Sequence, residues 1–287
     1  MAKKQIGKLG KGPKKHDNRN LQMARYVKGI APTLPKVDHA TKLRNIGQMG
    51  NDVWNSCTCS AAGHMIQSWS VYADRGQINI PDNDIIDAYK IVQVGDDGGA
   101  YALDVLNLWH KTGIGGEKIE AFVEVAPADL TQAKLAVMYF GSCYIGMGLP
   151  DQNLYGPWTT VTGPSNRNNG HMVNIVAYDD DKQMFRVCTW GAVWNMSYAW
   201  YQKYCDEAYA VADDLSLNET SGLTPEGFDW NALMADINNL DEAPDDGTTP
   251  TPTPTPTDDN DKKKSPLIPI LIGGAVILAI VAAAILA

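Results

Sequence analysis

The sequence is short of the features that mark a secreted protein. Five cysteines, at 57, 59, 143, 188 and 205, are an odd number scattered along 287 residues. That excludes a dense disulfide framework. The charged start MAKKQIGKLGKGPKK has no apolar stretch after it, so no secretory signal is expected. Both absences point to a body kept in a reducing compartment. Paired C-x2-4-C spacings are missing as well, which argues against structural zinc, and no metal or cofactor is expected. Net positive charge is concentrated in one place. Met1–Asn20 carry six Lys, one Arg and one Asp, a net +6, which leaves −15 of the overall −9 for the remainder. An acidic body excludes a nucleic-acid-binding domain, whereas the basic leader suits a solvated arm that meets an anionic partner, lipid or acidic surface.

What is present divides the chain into five parts: a basic N-terminal arm over 1–42, a globular domain over 43–212, an acidic connecting segment over 213–247, a Thr/Pro-rich linker over 248–265 and an apolar helix over 266–287. The alternating TTPTPTPTPT stretch forms neither helix nor sheet ladders and extends to about 30 Å as a polyproline-like spacer. The uncharged run Leu267–Ala287, as a helix, is about 31 Å long and matches a bilayer's hydrocarbon core. Lys262, Lys263 and Lys264 precede it and no charge follows it, so a single-pass C-terminal anchor is expected, contacting membrane lipid and leaving the body on the cytoplasmic side.

Within the globular part, Ser60–Ala73, IIDAYKIV and AYALDVLNLWHKTG have helical spacing, the last closed by Gly113. Tyr144–Leu149, Met172–Tyr178 and Met184–Thr189 read as strands. Helices first and strands second indicate an α+β domain.

Three segments carry chemistry. Asn51-Asp-Val-Trp-Asn-Ser-Cys57-Thr-Cys59 is a loop running into a helix, where free N–H groups and the dipole favour a thiolate at Cys57. Asn169-Gly-His171 opens an apolar strand, and Phe185-Arg-Val-Cys-Thr-Trp190-Gly191 is a strand ending in a Trp-Gly turn. In this order the segments resemble the papain-like cysteine peptidases. In that family a Gln lies six residues before the nucleophilic Cys, an H-A-V-x-x-V-G-Y strand carries the His, and an N-S-W-G segment follows. Ser56-Cys57-Thr58, His171-Met-Val-Asn-Ile-Val-Ala-Tyr178 and Thr189-Trp190-Gly191 match these, as do Asp96-Asp-Gly-Gly-Ala100, Lys111-Thr-Gly-Ile114 and the stretch 129–148.

The resemblance implies a helical half with a long central helix facing an antiparallel β half. It also implies amide-bond hydrolysis of a peptide or protein substrate by a Cys57–His171 pair. Asn51 stands where the family has Gln, with Gln48 as the alternative oxyanion donor. The family's orienting Asn aligns with Cys188, with Thr189 beside it, and Trp190 is a supporting residue. These departures keep a second reading open, a catalytically impaired papain-like domain used for binding or structure. The string N-D-x-x-x-x-C-T-C-x-A-A-G-H-M is similar to proteins of phages and bacteria, so a place in a phage or viral particle, and hence a virion location, belongs to that reading.

The other polar residues have plainer roles. Cys59 and His64 read as core, His110 as a helix-end contact, and His16 and His39 as leader residues. Asp179–Asp181 read as a β-turn, and Asn218-Glu-Thr220 as a chance glycosylation pattern. Trp54, Trp158 and Trp194 suit either a cleft wall or the core.

Overall fold

A computed structural model describes residues 7–17, 20, 22, 23 and 34–213. The linker and anchor, and the acidic segment past Asp213, lie outside the described residues. Among the described residues no helix is long and apolar enough to cross a membrane.

Helix α1 (Cys57–Tyr72) is built from small and apolar residues, CTCSAAGHMIQSWSVY, and all sixteen are buried. Such a helix has no solvent face and needs cover on every side. Helices α2 (Asp82–Val92) and α3 (Ala102–Lys111) cover one side, with Trp69 and Trp109 stacked 5.3 Å apart between α1 and α3. Fully burying each of these large side chains contributes on the order of 2 kcal/mol. The other side of α1 rests on an antiparallel sheet.

The strands are β1 (Lys36–Asp38), β2 (Ala121–Val125), β3 (Cys143–Gly148), β4 (Gly170–Asp179), β5 (Met184–Thr189), β6 (Ala192–Ser197) and β7 (Cys205–Ala212). Their spatial order is β2-β7-β3-β4-β5-β6, with β1 paired to β4. Helices α4 (Leu130–Phe140) and α5 (Tyr198–Tyr204) lie in the second half of the domain and join the second core, which contains Leu135, Trp158, Trp200 and Tyr201. Asp129 caps α4 by accepting from the Gln132 N–H, and Gly141 ends it in the left-handed region. The β4 pattern is buried at nine of its ten positions, as expected of a central strand covered on both faces.

The arm differs most from expectation. Among its described residues, Lys36–Asp38 pair with Ala177–Asp179, and residues 7–12 lie against the body. The reason is charge. Lys8 pairs with Asp97, Lys11 with Asp206 and Glu207, Lys14 with Glu124 and Lys15 with Asp104, so the basic arm meets the acidic body of its own chain. His39, expected in a leader, is instead half-buried, bonding the Val137 carbonyl at 3.2 Å and packing edge-on to Tyr72.

Candidate active site

Cys57 is the first residue of α1, so its sulfur lies where the first-turn N–H groups have no helical acceptors. The Tyr144 hydroxyl donates to the Thr58 carbonyl at 2.8 Å and fixes this helix end against β3. Ahead of Cys57, the loop is tied to α1 by side chains: Ser60 donates to the Met49 carbonyl, Gln67 to the Ile46 carbonyl, and His64 bonds the Gly47 carbonyl. Asn55 joins the loop to the turn at Asp97, with its backbone N–H 2.7 Å from the Asp97 carboxylate.

His171 enters from β4, one residue after Gly170, and pairs with Met147 of β3. The backbone of Met172, the next residue, lies beside the Cys57 thiol, as do those of Gly10 and Thr58, and each favours its thiolate form. The helix head and the strand opening therefore meet. The imidazole Nε2 is 2.9 Å from the Thr189 hydroxyl, and the ring stacks on Trp190 with centroids 4.2 Å apart. Its Nδ1 has no hydrogen-bond partner in this closed state.

Of the two residues aligned with the orienting position, Thr189 touches the imidazole. Cys188 packs with Val176 and Ala177 in a separate small cluster, because successive strand side chains point to opposite faces. Trp190 and Gly191 form the two-residue turn between β5 and β6, both with positive φ, 47° and 67°. That is the backbone a tight hairpin requires, and at a tryptophan it carries strain. Trp190 is held there by its indole N–H, which donates to the Asn51 side-chain carbonyl at 2.9 Å. The Asn51 amide nitrogen donates to the Trp54 carbonyl. Asn51 therefore links the Cys57 loop to the wall of the His171 site. Gln48 lies in the same loop, its carbonyl accepting from the Asn51 N–H. Trp158 is fully buried 6.1 Å from His171, whereas Trp54 and Trp194 are half-buried, the latter donating to the Thr189 carbonyl. Asp179 and Asp180 are occupied by Lys36, Lys182, Lys134 and Tyr198.

The cleft between α1 and the sheet is closed by residues 7–12. Lys8 N–H donates to the Asn51 carbonyl, Gly10 and Lys11 N–H groups to the Gly170 carbonyl, and Gly12 N–H to the Ala100 carbonyl, while Ala100 N–H donates back to Gly10. Under this strap Cys57 is 1% exposed and His171 not exposed at all. Burial pushes the Cys57 thiol up to about 11, against the pull of its backbone hydrogen bonds, and the His171 imidazole down to about 3. Both groups are therefore neutral while the strap is in place. The strap was the feature missed in the sequence; its signal was glycine at 7, 10 and 12 alternating with lysine. A side chain at Gly10 would place its Cβ 1.9 Å from the Asn55 carbonyl oxygen, so only glycine passes over the sulfur.

No family model matches the chain, and no curated protein does. Solved structures do. Xylellain, a cysteine protease from Xylella fastidiosa, is 18% identical over 74% of this chain and 98% of its own, with a TM-score of 0.55. Digestive procathepsin L 3 of Tenebrio molitor larval midgut is 13% identical over 70% of this chain and 76% of its own, with a TM-score of 0.53. The proform of the ragweed cysteine protease Amb a 11 is 13% identical over 66% and 69%, with a TM-score of 0.51. The chain has a papain-like fold.

Proposed function

We propose that the chain is a membrane-anchored cysteine peptidase that breaks amide bonds with Cys57 and His171. One observation carries the reading: an imidazole, held by the Thr189 hydroxyl and the Trp190 ring, opens the strand whose next residue packs against Cys57. The likeness to cysteine proteases from a bacterium, an insect and a plant supports it at the level of the fold.

In this proposal the strap first leaves the cleft and a peptide takes its place. Water then reaches the pair, and the burial that keeps both groups neutral is relieved. His171 accepts the Cys57 proton through Nδ1 while Thr189 bonds Nε2. The sulfur attacks the substrate carbonyl, and the oxyanion is bound by the Cys57 backbone N–H with an amide of the preceding loop, from Asn51 or Gln48. The imidazolium gives its proton to the departing amine. Water, with His171 again as base, releases the acid and restores the thiol. Thr189 replaces the family's amide as orienter, and Asn51 acts on the pair chiefly through Trp190. The apolar run over 267–287 would hold this activity at the cytoplasmic face of a membrane.

The test is active-site labelling. A peptidyl epoxide should modify Cys57 in the full chain once the strap is displaced, and His171→Ala should abolish the modification. Equal labelling with and without the imidazole would refute the proposal.

A further inference from the structure

We infer that the cleft contains a lysine-reading pocket, floored by Glu207, which selects peptides carrying lysine beside a small residue. The inference rests on the peptidase reading only for what happens to a bound peptide. The recognition itself stands on the occupant already in place.

That occupant is Lys11. Its ammonium lies 2.8 Å from Glu207, 3.1 Å from Asp206 and 3.0 Å from the Gly12 carbonyl, with 1% of the side chain exposed against none for Glu207. Glu207 in turn accepts from the Tyr209 hydroxyl at 3.2 Å. A carboxylate sealed from water needs a partner, or it costs several kcal/mol and takes up a proton. Burial pushes the Glu207 carboxyl up and Lys11 opposes it; burial also disfavours the Lys11 ammonium, but the two carboxylates outweigh that and hold it charged. The pocket is therefore incomplete without a cation.

Its shape fits a long unbranched stem. The wall of β3 opposite Glu207 is Gly146, and a Cβ there would fall 2.1 Å from the Lys11 Cε and 2.7 Å from the Glu207 Cγ. Any other residue at 146 would fill the space that the lysine methylenes occupy. Next to the pocket, Gly10 passes over Cys57 against the Asn55 carbonyl, which leaves room for no side chain. Between them the Gly170 carbonyl accepts two backbone N–H groups and Ala100 exchanges two bonds with the strap, so main chain is held whatever its sequence. Backbone bonds give affinity here, and the charged floor gives choice.

The test uses the full chain with Gly10→Val and Lys11→Ala, which bar the strap from its seat and empty the pocket. Cys57→Ser is added for binding measurements. The probes are a fluorescent peptide GKLGKGPK, copied from residues 7–14, and the same peptide with norleucine at the place of Lys11. Norleucine keeps the stem and removes the charge. The lysine peptide should bind at least about tenfold more tightly by fluorescence anisotropy. Glu207→Gln should erase that difference, and Gly146→Leu should do so from the opposite wall if the first variant fails to fold. Equal affinity for the two peptides, or no binding of either, overturns the inference. With Cys57 restored, lysine-selective binding without cleavage would leave the pocket standing and refute the peptidase proposal instead. Cleavage of both peptides at one rate would do the reverse.

Discussion

Replacing Gly10 by Val should turn a sealed thiol into a reactive one. The valine Cβ has no room beside the Asn55 carbonyl, so the strap must lift, and with it go the bonds to Gly170 and Ala100. The expected gain follows from the titration of Cys57. Burial holds the thiol at about 11 against an ordinary 9.0. Returning it to that value raises the thiolate fraction at neutral pH about a hundredfold. A less basic thiolate is also a weaker nucleophile, with a Brønsted slope of about 0.45, which takes back a factor of about eight. The net increase is about tenfold before accessibility is counted, and stabilisation by His171 adds to it. Timed alkylation with iodoacetamide, read by mass spectrometry of the Cys57 peptide, measures this. Cys59, Cys143 and Cys188 are buried free thiols and act as internal controls. An alkylation rate unchanged by Gly10→Val, or a wild-type Cys57 already as reactive as a free thiol, would refute the reasoning.

Other outcomes follow from the same geometry. Thr189→Val removes the hydroxyl that bonds His171 Nε2 and should lower kcat roughly tenfold or more, with a shifted pH profile; Thr189→Ser should recover most of it. Asn51→Ala strips the buried Trp190 indole N–H of its acceptor and should cost about 1–3 kcal/mol in urea unfolding. Stability should fall in acid. Burial holds His39 and His64 down to about 4 and His171 to about 3, so below the ordinary 6.5 the unfolded chain binds protons that the folded chain refuses. The contribution is intact above pH 6.5 and shrinks as pH drops towards 4, by about 4 kcal/mol at pH 5.5 for the three together. Equal unfolding midpoints at pH 7.5 and 5.5 would contradict it.

The parts legible in the sequence were those with local signatures. A run of small residues behind Cys57 announced the central helix, and a histidine opening a long apolar stretch announced β4. The choice between Cys188 and Thr189 needed the strand's face, which a one-residue change of alignment reverses. Strand β7 escaped because it begins Cys-Asp-Glu, and an acidic pair reads as surface; only a lysine far away in sequence makes Glu207 tolerable inside. The strap escaped for the complementary reason. Glycine and lysine in alternation have the composition of a solvated tail, and the acids that hold the strap are dispersed at 97, 206 and 207, with 104 and 124 holding the lysines just after it.

Lys11 and Asp206 lie 195 positions apart, which sets an order of assembly. The strap must wait for β7, made long after it, before it can settle, since its anchor does not exist earlier. Contacts of such long range form late in folding. A nascent chain therefore passes through a stage in which helices and most strands are in place while the sulfur is still uncovered, and it reaches the sealed form only when β7 closes between β2 and β3.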